Sequence, residues 1–387
     1  MSVPASLQAA AASSANAPES GLLARWRALR DGLLASPGFR RRALAFAPTR
    51  WVARRRAAAL FDLVAGFVYS QVLYACVRLQ LFELLATAPL SADEIAPRAD
   101  LPVEAATRLL DAAVALRLLE HRGRTRYGLG PLGAAMVGNP AVAAMVEHHA
   151  TFYADLRDPL ALLRGQLGDL ADYWPYASNP LPSTLAAPQV APYSALMAAS
   201  QPLVADEILD AFPLDRHRCL LDVGGGEGGF LAAAALRHPN LRLMLFDLPA
   251  VAQRAAQRFE SAGLAGRSTT FGGDFLCDAL PRGADVISLV RVVHDQDDAG
   301  MQRLLAAAFD ALPPGGTLLL GEPLAATRGS QAMGDAYFGM YLLAMGRGRP
   351  RSAAALAQAL RHAGFTSVRQ LRTRMPLQAG LLAATRR

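Results

Sequence analysis

The sequence contains no lysine. All 39 basic residues are arginine, so the formal charge of +7 and the pI near 9.7 carry a coding bias and are weak guides to a partner. Cysteine is scarce too. Cys76, Cys219 and Cys277 lie far apart without a CxxC pair, which excludes a disulfide framework or a zinc site of that spacing and fits a reducing, intracellular setting. Charged residues make up only 18% and hydrophobic ones 52%, so wholesale disorder is excluded and a large core can form. At 387 residues the chain is long enough for two or three domains of ~150 residues each. No early basic cluster followed by an apolar block opens it, so residues 1–20 read as a flexible leader, not a signal peptide. Uninterrupted apolar runs are missing as well. The greasiest stretch, Ala57–Ala86, is broken by Asp62, Arg78 and Glu83 and falls short of the ~20 apolar residues of a membrane span.

What is present begins with arginine. Arg25, Arg27, Arg30, Arg40–Arg42, Arg50 and Arg54–Arg56 crowd the segment after the leader, interleaved with Trp26, Phe39, Phe46 and Trp51. Such a stretch suits either a solvated helical face or contact with an anionic membrane surface. Apolar residues at helical spacing follow in 57–86 and need a partner helix or subunit to cover them. Ser91-Ala-Asp-Glu94 is a capping box that starts a helix, a second helix is expected over Pro102–Leu119, and His121–Leu129 reads as a hairpin. Helix, turn, helix and hairpin make a winged-helix unit. The body of its second helix, Val103–Leu116, has one basic residue and is mostly apolar, unlike a groove reader, which favours dimerisation over nucleic-acid binding. Residues 136–205 read as further helix with a proline-broken middle.

The second half alternates strands and helices. Strands are expected at Cys219–Val223, Leu241–Phe246, Asp285–Val293 and Gly316–Leu320, with helices at Phe230–Arg237, Pro249–Ala262 and Met301–Leu312. That order implies an α/β Rossmann-like domain, a mostly parallel sheet with helices on both faces. We divide the chain into the leader 1–20, a helical and winged-helix-like dimerisation and substrate domain 21–205, and a catalytic domain 206–387.

The chemistry concentrates in Asp222-Val-Gly-Gly-Gly-Glu-Gly-Gly-Phe230, between a strand and a helix. Its GxGxxG spacing is shared with dinucleotide enzymes, but the wider DxGxGxG pattern of Asp222, Gly224, Gly226 and Gly228 is more specific. An acid at the strand end repels a pyrophosphate and accepts from an ammonium such as the one on S-adenosyl-L-methionine (SAM). Asp247 ends the second strand, where a carboxylate accepts ribose hydroxyls, and Gly273-Asp274-Phe275 is placed to meet an adenine. His294, in Arg291-Val-Val-His-Asp-Gln-Asp-Asp298, is a suitable general base, and Glu322 lies at the same carboxyl edge to orient it.

These motifs, in this order, resemble the caffeate/acetylserotonin-type SAM-dependent O-methyltransferases, from about Phe61 to the C-terminus. The resemblance implies a class I methyltransferase domain behind a dimerisation domain, a homodimer, SAM as methyl donor and no metal. It implies that Asp222, Gly224, Gly226, Asp247, Asp274, Phe275 and Arg291 bind SAM and that His294 and Glu322 are catalytic. Segments 61–73 and 335–346 are similar to those of the bacterial carotenoid O-methyltransferases of purple phototrophs. That likeness implies methylation of a tertiary hydroxyl on an acyclic carotenoid of the demethylspheroidene or hydroxyneurosporene type. Met197, Phe338, Met340 and Tyr341 are the expected lining of a channel for so apolar a substrate. A cytoplasmic enzyme with peripheral contact to the inner or photosynthetic membrane would follow. The competing readings are a phenolic or polyketide acceptor, a nicotinamide dehydrogenase, and a non-catalytic SAM-binding or winged-helix regulator. One departure from plant relatives stands out: Pro350 occupies the place of a second glutamate, so the base is expected to have a single carboxylate partner.

Overall fold

The computed structural model of the protein describes residues 21–174, 184–376 and 379–387 apart from the side chains of Ala187, Val190 and Pro192. The leader of residues 1–20 therefore lies outside the described residues. The chain divides into two compact units, one ending at Ala75 and the other running from Cys76 to Arg387.

The first unit is helical: α1 (Gly21–Ala35), α2 (Pro37–Ala45) and most of α3 (Ala47–Arg78). Ser36 caps α2 through its hydroxyl, which accepts from the Phe39 amide at 3.4 Å, and Pro37 at the first helical position needs no donor. Helix α3 corrects one expectation. It is a single helix of 32 residues, and by length and composition it is apolar enough to cross a membrane. Of the three breaks read from the sequence, Arg78 ends α3 and Glu83 falls in the next helix, which leaves Asp62 alone inside the apolar part.

The second unit opens with α4 (Leu81–Thr87), β1 (Leu90–Ser91), α5 (Ala92–Ile95) and α6 (Val103–Ala115). The capping box forms as expected: the Ser91 hydroxyl accepts from the Glu94 amide, and the Glu94 carboxylate accepts from the Ser91 amide at 2.7 Å. Helix α6 buries Ala106, Leu110 and Ala113, one turn apart, and stops four residues early because Leu119 enters β2 (Leu119–Arg122). Strand β3 (Arg126–Leu129) lies between β1 and β2, antiparallel to both, which completes the wing. Among the described residues five helices follow: α7 (Pro131–Ala134), α8 (Pro140–Asp155), α9 (Pro159–Leu163), α10 (Asp169–Tyr173) and α11 (Ala187–Ala211).

The α/β layer then runs β4 (Cys219–Val223), α12 (Gly229–Arg237), β5 (Arg242–Asp247), α13 (Pro249–Ser261), β6 (Ser268–Gly272), β7 (Val286–Val290), α14 (Asp298–Ala311) and β8 (Thr317–Glu322). A short pair, β9 (Leu324–Ala325) with β10 (Arg351–Ser352), brackets a π-helical turn, Ala332–Tyr337, and α15 (Phe338–Ala344). Helix α16 (Ala353–His362) and strands β11 (Thr366–Leu371) and β12 (Gly380–Thr385) close the chain.

The main sheet has the order β11-β12-β8-β7-β4-β5-β6, parallel except at β12, which is antiparallel to both neighbours. Strands β4 and β7 are buried at every residue, as parallel strands covered on both faces must be. The strand order reverses between β4 and β7, and a ligand crevice is expected at their carboxyl ends.

Candidate active site

The crevice is there. A cleft of about 980 Å³, including the solvent at its mouth, is walled by the loops that leave β4, β5, β6 and β7, and by α11. Gly224 and Gly226 adopt left-handed backbone, with φ of +68° and +58°. A Cβ on Gly224 would press to 2.8 Å from Val292, whereas a Cβ on Gly226 would meet nothing within 4 Å. The Gly226 backbone thus faces open cleft, and a ligand can approach it unobstructed. Gly228 (φ +77°) serves packing instead, since a Cβ there would lie 2.4 Å from the Phe259 ring.

Asp247 sits on the rim where β5 ends. Its carboxylate accepts from the Gly226 amide at 2.8 Å and the Leu248 amide at 2.7 Å, while burial pushes its pKa up to about 6. Two acceptor directions remain for a ligand's hydroxyls. Asp274, Phe275, Arg291 and Met197 also line the cleft. Asp222 does not. It lies beneath the glycine loop, 1% exposed, with Oδ1 accepting from the Ser288 hydroxyl at 2.6 Å and Oδ2 without a hydrogen-bond partner among the described residues. Burial raises it to about 7.

The charged groups lining the cleft are Glu227, Asp247, Asp274, Asp295, Arg291 and Arg347, four acids against two bases. Such a wall repels a pyrophosphate and suits a nucleoside that carries positive charge. The open glycine backbone and the rim carboxylate fit SAM.

Beyond β7 the expected strand stops early. It ends at Val290, Arg291 turns left-handed (φ +58°), and residues Val293–Asp295 form a 3-10 turn. The cause is Glu322, the last residue of β8. One carboxylate oxygen accepts from the amides of Val292 (3.0 Å) and Val293 (2.7 Å), donors that a longer strand would have spent on its neighbour. The left-handed arginine costs ~1–3 kcal/mol. It is held by its own side chain, which donates to the Ser200 hydroxyl, the Met197 carbonyl and the Gln201 amide oxygen on α11.

This turn presents His294. Its Nδ1 lies 2.5 Å from the second oxygen of Glu322. Its Nε2 is 3.0 Å from Asp295 Oδ1, an ion-pair contact not aligned as a hydrogen bond. The expectation of one carboxylate partner is therefore corrected: there are two, and the second comes from the next residue in the chain. Burial by itself would lower the His294 pKa, but the Asp295 and Glu322 carboxylates outweigh it and push it up to about 10. Burial also pushes Asp295 up from the usual carboxylate range. Asp295 lines the cleft, whereas His294 sits behind it, 9% exposed.

The segment around Pro350 holds the turn by its backbone. The Arg349 amide donates to the His294 carbonyl at 2.8 Å, and a Cβ on Gly348 would reach within 2.2 Å of that same oxygen. The buried Arg351 guanidinium donates to the carbonyls of Val293 and Gln296 and pairs with Asp298.

The expected acceptor residues divide. Met197 is in the cleft wall, and Phe338 meets His294 edge-on with ring centroids 6.0 Å apart. Met340 and Tyr341 belong to a neighbouring cluster with Phe152, Leu170 and Trp174, where the Tyr341 hydroxyl bonds His148 Nε2 at 2.8 Å. Asp295, the α11 clamp on Arg291 and the Gly348 contact escape sequence reading. Only Asp295 left a signal, as an acid adjoining the candidate base.

Comparison with known proteins agrees with this geometry. An O-methyltransferase domain matches residues 183–366, and an O-methyltransferase dimerisation domain matches residues 61–139. The chain is 43% identical to a demethylspheroidene O-methyltransferase of Cereibacter sphaeroides, over 87% of this chain and 89% of that one. It is 41% identical to the same-named protein of Rhodobacter capsulatus, over 87% and 84%. Human N-acetylserotonin methyltransferase, solved in complex with SAM, superposes with a TM-score of 0.71 at 25% identity, covering 86% of this chain and 97% of that one.

Proposed function

We propose, from the premise that the chain belongs to the SAM-dependent O-methyltransferase family, that it methylates a tertiary hydroxyl of an acyclic carotenoid of the demethylspheroidene or hydroxyneurosporene type, with His294 as general base. The observation that carries the acceptor is the identity of 43% and 41% to two proteins of that named activity, along almost their whole length. The match of residues 61–139 to a dimerisation domain supports a homodimer.

SAM, when bound, supplies a methyl group already activated on a positively charged sulfur. The chain's own work is to hold and to deprotonate. Gly224 and Gly226 let the donor lie against backbone, and Asp247 takes its ribose hydroxyls. Asp274, Phe275 and Arg291 line the cleft, the first two placed to meet the adenine, and Asp222 lies beneath the glycine loop. Met197 in the cleft wall and Phe338 against His294 give the acceptor apolar contacts, while Met340 and Tyr341 pack in the neighbouring cluster.

With both carboxylates in place His294 holds its proton at neutral pH. The acceptor hydroxyl takes the position of Asp295 beside Nε2. Losing one of two negative neighbours lowers the imidazole toward neutrality, and its Nε2 proton leaves to solvent through the cleft. Nε2 is then free to accept the hydroxyl proton as the new C–O bond forms. A tertiary alcohol is a weak acid, so deprotonation must accompany transfer, and general-base help is worth about 10²–10⁴-fold.

The test is methyl transfer from SAM to a tertiary-alcohol carotenoid and, in parallel, to phenolic acceptors, for the parent and for His294→Ala. The parent should turn over the carotenoid. The variant should bind SAM by calorimetry as the parent does and lose about 10²–10⁴-fold in kcat. Near-normal turnover by the variant removes the base; turnover of phenols alone removes the acceptor.

A further inference from the structure

The chain's positive charge is local. Residues 21–56 contain ten arginines and one acid, Asp31, for a net +9, while the whole chain carries +7. The 29 remaining arginines stand against 31 remaining acids, so the other residues together are slightly acidic, at −2. A coding bias toward arginine spreads charge along a chain and does not account for this concentration. The segment also lies ahead of both family matches, which begin at residues 61 and 183.

Its helices keep their apolar side chains in water. Neither α1 nor α2 has a buried residue. On α1, Leu22, Trp26, Leu29 and Leu33 recur at spacings of four, three and four, which sets them along one side, and all are 43% exposed or more. Arg25 and Arg30 border that stripe, and the Arg30 guanidinium lies 5.4 Å from the Trp26 ring. The basic start of α3 repeats the pairing, with Arg55 5.8 Å from the ring of an exposed Trp51.

We propose that residues 21–56 are a membrane-surface anchor that lays α1 and α2 on a bilayer rich in anionic lipid. Such a surface takes both halves of the pattern. Its phosphates receive the guanidinium groups, and the boundary below them receives leucine and tryptophan. A nucleic acid would answer the charge but leave the apolar stripe in water. A second copy would answer the stripe but bring its own +9 segment against this one. The anchor is independent of which hydroxyl compound the enzyme methylates.

Sedimentation of the full chain with vesicles of phosphatidylglycerol and phosphatidylcholine, against phosphatidylcholine alone, tests it. Binding should require phosphatidylglycerol. It should be released between about 0.1 M and 1 M salt, as the screening length falls from about 10 Å to about 3 Å. Replacing Arg25, Arg27 and Arg30 together by Gln should weaken partitioning about a hundredfold, at about 1 kcal/mol per arginine, with SAM binding unchanged. Equal binding to both vesicles, or retention in high salt as for a spanning α3, overturns the proposal. So does failure to bind vesicles, whether Trp26→Ser with Leu29→Ser then dissociates a dimer or the parent prefers duplex DNA. If the triple variant loses SAM binding, the lipid and salt arms on the parent still decide.

Discussion

Asp295→Asn isolates the charge on the candidate base. Asp295 Oδ1 lies 3.0 Å from His294 Nε2, with Glu322 on the opposite nitrogen, and together they carry the imidazole from 6.5 to about 10 against the cost of burial. Half of that net rise is about two pKa units. The upper bound comes from Coulomb's law: at 3.0 Å and an effective dielectric of about 20 the pair is worth about 5–6 kcal/mol, or about four units. Asparagine keeps the shape and removes the charge, so the His294 midpoint should fall by about two to four units, to between about 6 and 8. Histidine titration by NMR from pH 5 to 11 reads it directly, without an acceptor. Stability should follow. A histidine raised above its unfolded value contributes stability that is fully present below about 6.5 and lost as pH rises through about 10, and in the variant that loss should move to the lower window. A His294 midpoint within half a unit of the parent's would refute the electrostatic pairing and, with it, the release of the base by displacing Asp295.

Further outcomes follow from the rim carboxylate and the glycine loop. Asp247→Ala should weaken SAM binding about ten- to a hundredfold by calorimetry, through lost hydrogen bonds to a charged acceptor. In the parent the affinity should fall as pH drops through about 6, where Asp247 takes up a proton. An unchanged affinity ends the ribose assignment. Gly228→Ala forces a Cβ to 2.4 Å from Phe259 at a φ of +77°. It should cost about 2–5 kcal/mol in denaturant unfolding, from left-handed backbone and overpacking together. A cost below about 1 kcal/mol would show that α13 yields easily.

Much of the fold was legible because strand–loop–helix alternation and glycine spacing are local. Cys219–Val223 announced itself as an apolar run before glycines, and Ser91 and Glu94 sit three residues apart because a helix start needs them there. The end of β7 was not legible. Asp285–Val293 is apolar enough for a longer strand, and what stops it is a carboxylate at residue 322, about thirty positions away in the chain. The single-partner expectation for His294 failed for a related reason. A missing glutamate near Pro350 says nothing of which way Asp295 points, and that is decided by the turn.

Residue order alone, then, supplied the class of chemistry: the methyl-donor motif, the acids that follow successive strands, and an imidazole after β7. Only folding in three dimensions chose the imidazole's charge state, because that depends on two carboxylates meeting one ring away from water. Only folding, too, left a leucine–tryptophan stripe uncovered beside arginine. Periodicity along a helix can place such a stripe on one side, but whether anything lies against it is a property of the assembled chain.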